Sequence, residues 1–237
     1  MRLNGRGLTA EDVVRVARHG APVELDPTAL ARMAAAREVV ERYLADGRPA
    51  YGLTTGLGAR AVESIPVSGL ADFSRHTVLG RANSVGPLLR TEVVRAALLV
   101  RANGLAHGGS GATPELAQAL VALLEHGVHP LVPSIGSIGA GDICVLAHVG
   151  LVLLGEGEAE VGGETLSGAA ALAAAGLEPL RPAPKDGLAL ISANAVSAAC
   201  AAFALADGRD ALEAMQVAAA LSMEGFRASR GPLDGRV

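Results

Sequence analysis

The chain has no tryptophan and only two tyrosines and three phenylalanines in 237 residues. So few aromatics require an aliphatic core. They leave Ala, Leu and Val to fill the core, and that composition favours packed helices over sheets. The chain has only two cysteines, Cys144 and Cys200, with no CxxC or Cys/His spacing, which excludes a disulfide framework and a zinc cluster. Both lie in apolar runs and read as core thiols of a reducing compartment. There is no basic cluster, and the net charge of −4 gives no footing for nucleic acid. The opening MRLNGRGLTAEDVV has no apolar stretch of signal-peptide length. The longest apolar run, 188–206, is interrupted by Ser and Asn and reads as buried helix, not a membrane span. A cytoplasmic protein is expected. His76, His126, His129 and His148 fall into no ligand spacing, and no metal site is expected.

What the sequence does have is helix punctuation. Thr9 with Asp12 caps a helix ending at Gly20, and Asp26-Pro27 opens a longer one ending near Gly47. Residues 50–67 read as a loop and 69–82 as a weakly signalled helix. Thr91 opens a helix to about residue 107, and Thr113-Pro114-Glu115 opens the next, closed by Gly127. Asp142 reads as the N-cap of ICVLAHVGLVLLG. Gly162-Gly163 centres a small β-hairpin, SGAAALAAAG is a short helix, and from residue 187 the chain reads as almost continuously helical. No internal repeat or linker appears, so 1–237 reads as one mainly α domain. The apolar helix at 210–228 presents a face that nothing later in this chain covers, which points to another chain.

Three segments rich in small residues are candidates for chemistry. In YGLTTGLG, Tyr51 begins a loop that glycines free to move, so it can carry a phenolic base; an exposed surface turn is the plain alternative. AHGGSG, with His107 and Ser110, is a flexible link whose amides can approach a ligand, or simply a helix–helix turn. PSIGSIGAGDICVLAH sets glycines before Asp142 and a helix, where free N–H groups favour electron-rich atoms. It lacks GxSxG and GxGxxG, so neither a hydrolase elbow nor a dinucleotide loop is indicated.

In this order the segments resemble the histidine and phenylalanine ammonia-lyases. The resemblance runs from about residue 50 to the end: YGLTTGLG, AHGGSG, PSIGSIGAGDICVLAHVGLVLLGEGEAE, LSGAAALAAAGLEPL, KDGLALISANA, and ALSMEGFRAS with PLDGR. It implies a mainly α fold, with an active-site region over about 1–185 leading into a long helical bundle from about 186, assembled as a tetramer with shared active sites. It also implies a cofactor, the methylidene-imidazolone (MIO) made from an internal Ala-Ser-Gly, and a loop tyrosine as base, matched by Tyr51. The residues expected at a catalytic site are Tyr51, Arg81, Ala140, Gly141 and Asp142. Gly58, His107, Ser110, Ser192 and Asn194 are expected to bind substrate.

The departures from the family pattern are specific. Where Ala-Ser-Gly belongs, the chain has only Ala140-Gly141 before Asp142, one residue short. MIO needs a residue with a β leaving group, and neither Ala nor Gly has one; Ser137 lies three residues too early. Ser192 replaces the family's asparagine beside MIO, with Asn194 two residues on. Arg81 stands where histidine lyases carry a histidine. Family members are also roughly twice as long. The expectation is an ammonia-lyase-like subunit working without MIO, its Tyr51 serving an elimination such as dehydration or a cyclisation, its substrate a small or carrier-bound molecule. A second chain supplying the C-terminal half would complete it as a hetero-oligomer. Two other readings stay open: a genuine MIO-dependent ammonia-lyase half, and a non-catalytic scaffold.

Overall fold

The computed structural model describes residues 1–137 and 139–236. Its helices are α1 (Ala10–Ala17), α2 (Pro27–Ala45), α3 (Leu70–Leu79), α4 (Thr91–Ala106), α5 (Pro114–Glu125), α6 (Ile143–Leu153), α7 (Gly168–Ala174), α8 (Asp186–Ile191) and α9 (Ala195–Gly225). α4 is the central post. It packs against α1, α5 and α9, and its Leu98, Leu99, Ala102 and Leu105 are fully buried. A second layer of α3, α6 and α8 stands beside it and carries the candidate site.

The expected starts hold where the cap is local. Thr9 Oγ1 accepts from Asp12 N (3.1 Å) and Asp12 returns the bond to Thr9 N (3.2 Å), a full capping box. Asp26 Oδ1 accepts from Thr28 N at 2.8 Å, with Pro27 in the first turn of α2. Thr113 sits at the head of α5, but its hydroxyl donates to Asp186 Oδ2 (2.8 Å) and its N–H to Oδ1 (2.9 Å). A carboxylate 73 residues away therefore does the tying there.

Strands are short. β1 (Arg2–Leu3) pairs in parallel with β2 (Glu24–Leu25). β3 (Val85–Leu88) pairs antiparallel with β5 (Pro133–Ile135). The expected hairpin is β6 (Glu158–Val161) with β7 (Glu164–Ser167), and β4 (His129–Pro130) adds to its β6 edge. Pieces of two to four residues carry too few alternations to read from sequence, which is why only the hairpin was foreseen.

One reading of the long C-terminal stretch needs correction. It is not continuous helix from residue 187: α8 ends at Ile191, Ser192 has ψ 73° and Asn194 has ψ 40°, and α9 restarts at Ala195. Asp142 stands at the N-cap of α6 as expected, and its carbonyl accepts from Leu146 N at 2.8 Å, but its side chain makes no cap hydrogen bond there. Its carboxylate reaches across to α9, where Oδ2 accepts from Ser197 N and Oδ1 from Ser197 Oγ, both at 2.8 Å, while Asp142 N donates to Ala193 O at 2.8 Å. Ala193 O thus turns away from any helical partner, and a buried aspartate supplies the start of α9 that Asn194 does not. Cys200 is exposed and Cys144 half-buried, so neither is a core thiol. Cys200 lies on a part of α9 that this chain leaves open.

α8 can approach α3 only because residue 187 is glycine. Gly187 N donates to Ser74 Oγ at 2.8 Å, and a Cβ at Gly187 would overlap the Ser74 carbonyl oxygen. Four arginines donate to backbone carbonyls, three of them (Arg32, Arg95 and Arg101) at the last turn of a helix, while Arg37 reaches the segment before α8. Arg32 donates to the carbonyls of Ala106 (2.7 Å) and His107 (3.0 Å) at the end of α4. Arg95 joins the ends of α1 and α5 through Val16, Ala17 and Leu124 carbonyls at 3.1–3.3 Å. Arg37 donates to Pro184 O at 2.7 Å. Arg101 donates to Ala189 O, and burial brings its guanidinium down to about 10, still charged at neutral pH. Cations at helix C-termini complement the exposed carbonyls and the dipole.

The Asp186–Gly225 stretch is long and apolar enough to cross a membrane by composition, with mean hydropathy 1.9. Its first third is instead the break and the buried turns that hold Asp142. Beyond residue 204, α9 projects with Leu205, Leu212, Met215, Val217 and Leu221 exposed, and Phe226 is 87% exposed just after it. A helix apolar on this much of its circumference is built to be covered.

Three measurements follow from this packing. Asp142→Ala removes two charge-assisted bonds at a buried site, and equilibrium denaturation should show a loss of about 2 kcal/mol or more. Gly187→Ala should cost about 1–3 kcal/mol by overpacking at Ser74. His129 is lowered by burial and then by the Arg95 charge, against a weaker opposing pull from Glu160, and His148 is lowered by burial. As pH falls through about 6.5 the unfolded chain therefore binds more protons on them than the native chain does. Their contribution to stability is therefore lost as pH falls below that value, while Asp186, raised by burial, acts in the opposite sense. A double His129→Gln, His148→Gln variant should lose less melting temperature than the parent between pH 7 and 5; an identical slope would contradict the assignment.

Candidate active site

The site is assembled at the break between α8 and α9. Gly141 and Asp142 are buried there, while Gly139, Ala140, Ser192 and Asn194 are exposed around them. Asp142 N bonds Ala193 O, and Asn194 Oδ1 lies 3.6 Å from where a Gly141 Cβ would stand. The two segments that sequence placed at one site are thus in direct contact. Asn194 is beside the turn, and Ser192, at the end of α8, points its backbone out of helical geometry.

The turn itself fixes which groups are free to act. Ser137 Oγ accepts from Gly139 N at 3.4 Å and donates to Gly141 O at 3.5 Å. Asp142 N is taken by Ala193 O. That leaves the Ala140 and Gly141 amides as donors with no hydrogen bond among the described residues, a narrower set than the whole of 139–142. Asp142 is 2% exposed with both carboxylate oxygens occupied by Ser197. It is placed to hold the turn, not to exchange a proton with a substrate. Sequence reading missed Ser197, and no local signal could have found a partner 55 residues away.

Tyr51 stands on the neighbouring loop and is 59% exposed. Its Oη accepts from Gly58 N at 3.1 Å, so the two residues chosen from YGLTTGLG meet. The loop is anchored from below. Thr54 Oγ1 donates to Arg48 O (2.7 Å) and accepts from Ala50 N (2.8 Å), and Ile65 N donates to Thr54 O at 2.9 Å. Gly52 adopts φ +66°, and a Cβ there would collide with Leu188 of α8, one turn before Ser192. The tyrosine loop is therefore seated on the helix that ends at the site.

Arg81 follows α3, donating to Thr77 O at 3.1 Å, and lines a groove with Gly56 and Leu57 of the tyrosine loop. His107 and Ser110 are held by bonds of their own. His107 O accepts from Arg32, Ser110 Oγ accepts from Ala112 N at 3.3 Å, and Gly111 packs on Val40 and Lys185. No hydrogen bond joins that segment to Tyr51, Arg81 or the 139–142 turn among the described residues.

The turn does not fit the cofactor that the family resemblance implies. Residues 139–142 offer no side chain with a β leaving group, and the Ser137 hydroxyl, the nearest one, is engaged with the turn's own backbone.

Comparison with known proteins agrees with this architecture. The aromatic amino acid lyase family model matches residues 8–237. The histidine ammonia-lyase of Gloeobacter violaceus is 46% identical over 229 residues, covering 96% of this chain and 45% of that protein. The crystal structure of the ergothioneine-degrading ergothionase from Treponema denticola superposes with a TM-score of 0.95 at 33% identity, over all of this chain and 48% of that one. The histidine ammonia-lyase structure from Trypanosoma cruzi gives 0.91 at 31% identity, over 99% and 46%. The chain spans about half the length of the curated relatives it matches. It belongs to the aromatic amino acid lyase family, and what it matches in its relatives is one half of their length.

Proposed function

We propose that the chain is a subunit of a lyase that eliminates without MIO, with Tyr51 as base. The observation that carries this is the turn at 139–142: its frame is locked by Asp142 on Ser197, yet it has no residue able to form the electrophile. Without an electrophile, loss of ammonia from an unactivated amino acid is unfavourable. Loss of water from a β-hydroxy acyl group is not. Tyr51, as the base, takes the α-proton, the electron pair released becomes the new double bond, and the β-hydroxyl leaves as water with the proton that Tyr51 has taken, which restores the base. Charge builds on the acyl oxygen, and the free Ala140 and Gly141 amides can receive it.

A second reading is kept because the similar proteins named above include histidine ammonia-lyases: an MIO-dependent ammonia-lyase half. The two differ in mass. A chain lighter than its sequence by two waters would establish the second reading and end the first; an unmodified mass does the reverse.

The reading includes a protein partner. The exposed apolar length of α9 and the exposed Gly139, Ala140, Ser192 and Asn194 lie on surfaces this chain does not cover. A second polypeptide resembling the other half of the relatives would cover them and complete the site in a hetero-oligomer. Co-expression with such a chain should yield a complex on size-exclusion chromatography, and Leu212→Glu with Met215→Glu should dissolve it. In that complex Tyr51→Phe should cut the appearance of conjugated acyl product by about 10²- to 10⁴-fold with melting temperature unchanged. Undiminished turnover would remove Tyr51 from the chemistry.

A further inference from the structure

We infer that Arg101, beneath the opening left by Gly104 of α4, receives an aspartate or glutamate carboxylate from the second polypeptide that completes the family's length. This rests on the proposed partner, and it names the point on this chain where that partner's charge is needed.

Arg101 stands apart from the other arginines that reach backbone carbonyls. Arg95 uses all three of its nitrogens, on the Ala17, Leu124 and Val16 carbonyls. Arg32 spreads two nitrogens over three carbonyls, and Arg37 is paired with Glu41. Arg101 places Nη2 on Ala189 O, and neither Nε nor Nη1 has a hydrogen bond among the described residues. Burial alone lowers the guanidinium, to about 10, with no acidic neighbour pulling it back up. It remains a cation at neutral pH. A buried charge answered by a single carbonyl is costly, and a carboxylate brought against it relieves that cost.

The way in is at Gly104. It is exposed, three residues on and so on the same side of α4 as Arg101. Glycine inside a helix weakens it relative to alanine. A Cβ at Gly104 would stand 3.4 Å from Arg101 Nη1, and, the helix's own backbone aside, no other atom lies within 4 Å of that point. Nη1 and the second hydrogen of Nη2 form a fork, and this fork takes both oxygens of a carboxylate. The surroundings favour a carboxylate carried on a polypeptide over a free acid. α9 packs on α4 and leaves Ala198, Ala201 and Leu205 exposed at helical spacing. The chain spans about half the length of its curated relatives, and a polypeptide of the remaining length has this apolar face to bury around the ion pair.

The probe is the part of the Gloeobacter violaceus histidine ammonia-lyase that this chain does not match, produced as a separate polypeptide and titrated into the full chain by calorimetry. Arg101→Gln should weaken the complex at least tenfold. Gly104→Leu, which roofs Nη1 from an exposed helix position, should weaken it as well, with the melting temperature of the chain alone unchanged or raised. Among the acidic residues of the added half, one amide substitution should weaken the parent complex and cost nothing further in Arg101→Gln, the mark of a direct pair. A complex indifferent to Arg101→Gln, or one in which no acidic residue couples to it, would overturn the inference and leave the partner standing. Failure to form any complex removes the partner and the inference together. Self-association of the chain that Arg101→Gln abolishes would overturn it in favour of a second copy.

Discussion

The Asp142–Ser197 contact is the constraint on which the site depends. A buried carboxylate needs hydrogen bonds to be tolerable, and here the first turn of α9 provides them. α9 cannot begin one turn earlier without taking Ala193 O from Asp142 N. The aspartate therefore sets three things together: where α8 stops, where α9 starts, and how closely the glycine turn lies against the gap. Gly187 on Ser74 does the same for α8 and α3. Through these two contacts, residues from three separate stretches of chain share one end of a helical layer.

The charged groups of the interior follow one rule. Two buried aspartates, Asp142 and Asp186, take the amides at helix beginnings; three arginines, Arg32, Arg95 and Arg101, take the carbonyls at helix ends. Each side chain answers the polar atoms that a helix terminus leaves open, from another element and not from its own. The aliphatic core supplies burial but little direction, since Ala, Leu and Val can pack many ways. These long-range caps specify which packing is adopted.

That division explains what was legible in the sequence. Capping by neighbours could be read: Thr9 with Asp12, and Asp26 with Pro27, mark helices that exist where expected. Tyr51 and Gly58 were read in one loop, and the 139–142 turn and Asn194 were both named for one site; that Tyr51 Oη meets Gly58 N and Gly141 lies beside Asn194 is what the fold adds. The break at Ser192–Asn194 was not legible, since every residue there is compatible with helix and the cause is an aspartate 50 or so positions earlier. Asp142 is the N-cap of α6 by position, as Thr9 is of α1; only the distant Ser197 that its side chain bonds distinguishes the two. His107 and Ser110 were chosen for flexibility, but their neighbours are α2 and the chain's own backbone.

The missing serine can be understood in these terms. A turn that carries a cofactor has two duties, to make it and to be held in place. In this chain the second is performed by residues on either side of the gap: Asp142 on Ser197 after it, and before it β5 on β3 with Ser84 beside Gly136. None of those contacts involves the residue that is absent. A turn one residue shorter between the same two fixed ends therefore leaves the scaffold standing. What remains at the site is a tyrosine held by an amide, two backbone donors with no hydrogen bond among the described residues, and an arginine with no ion pair among them.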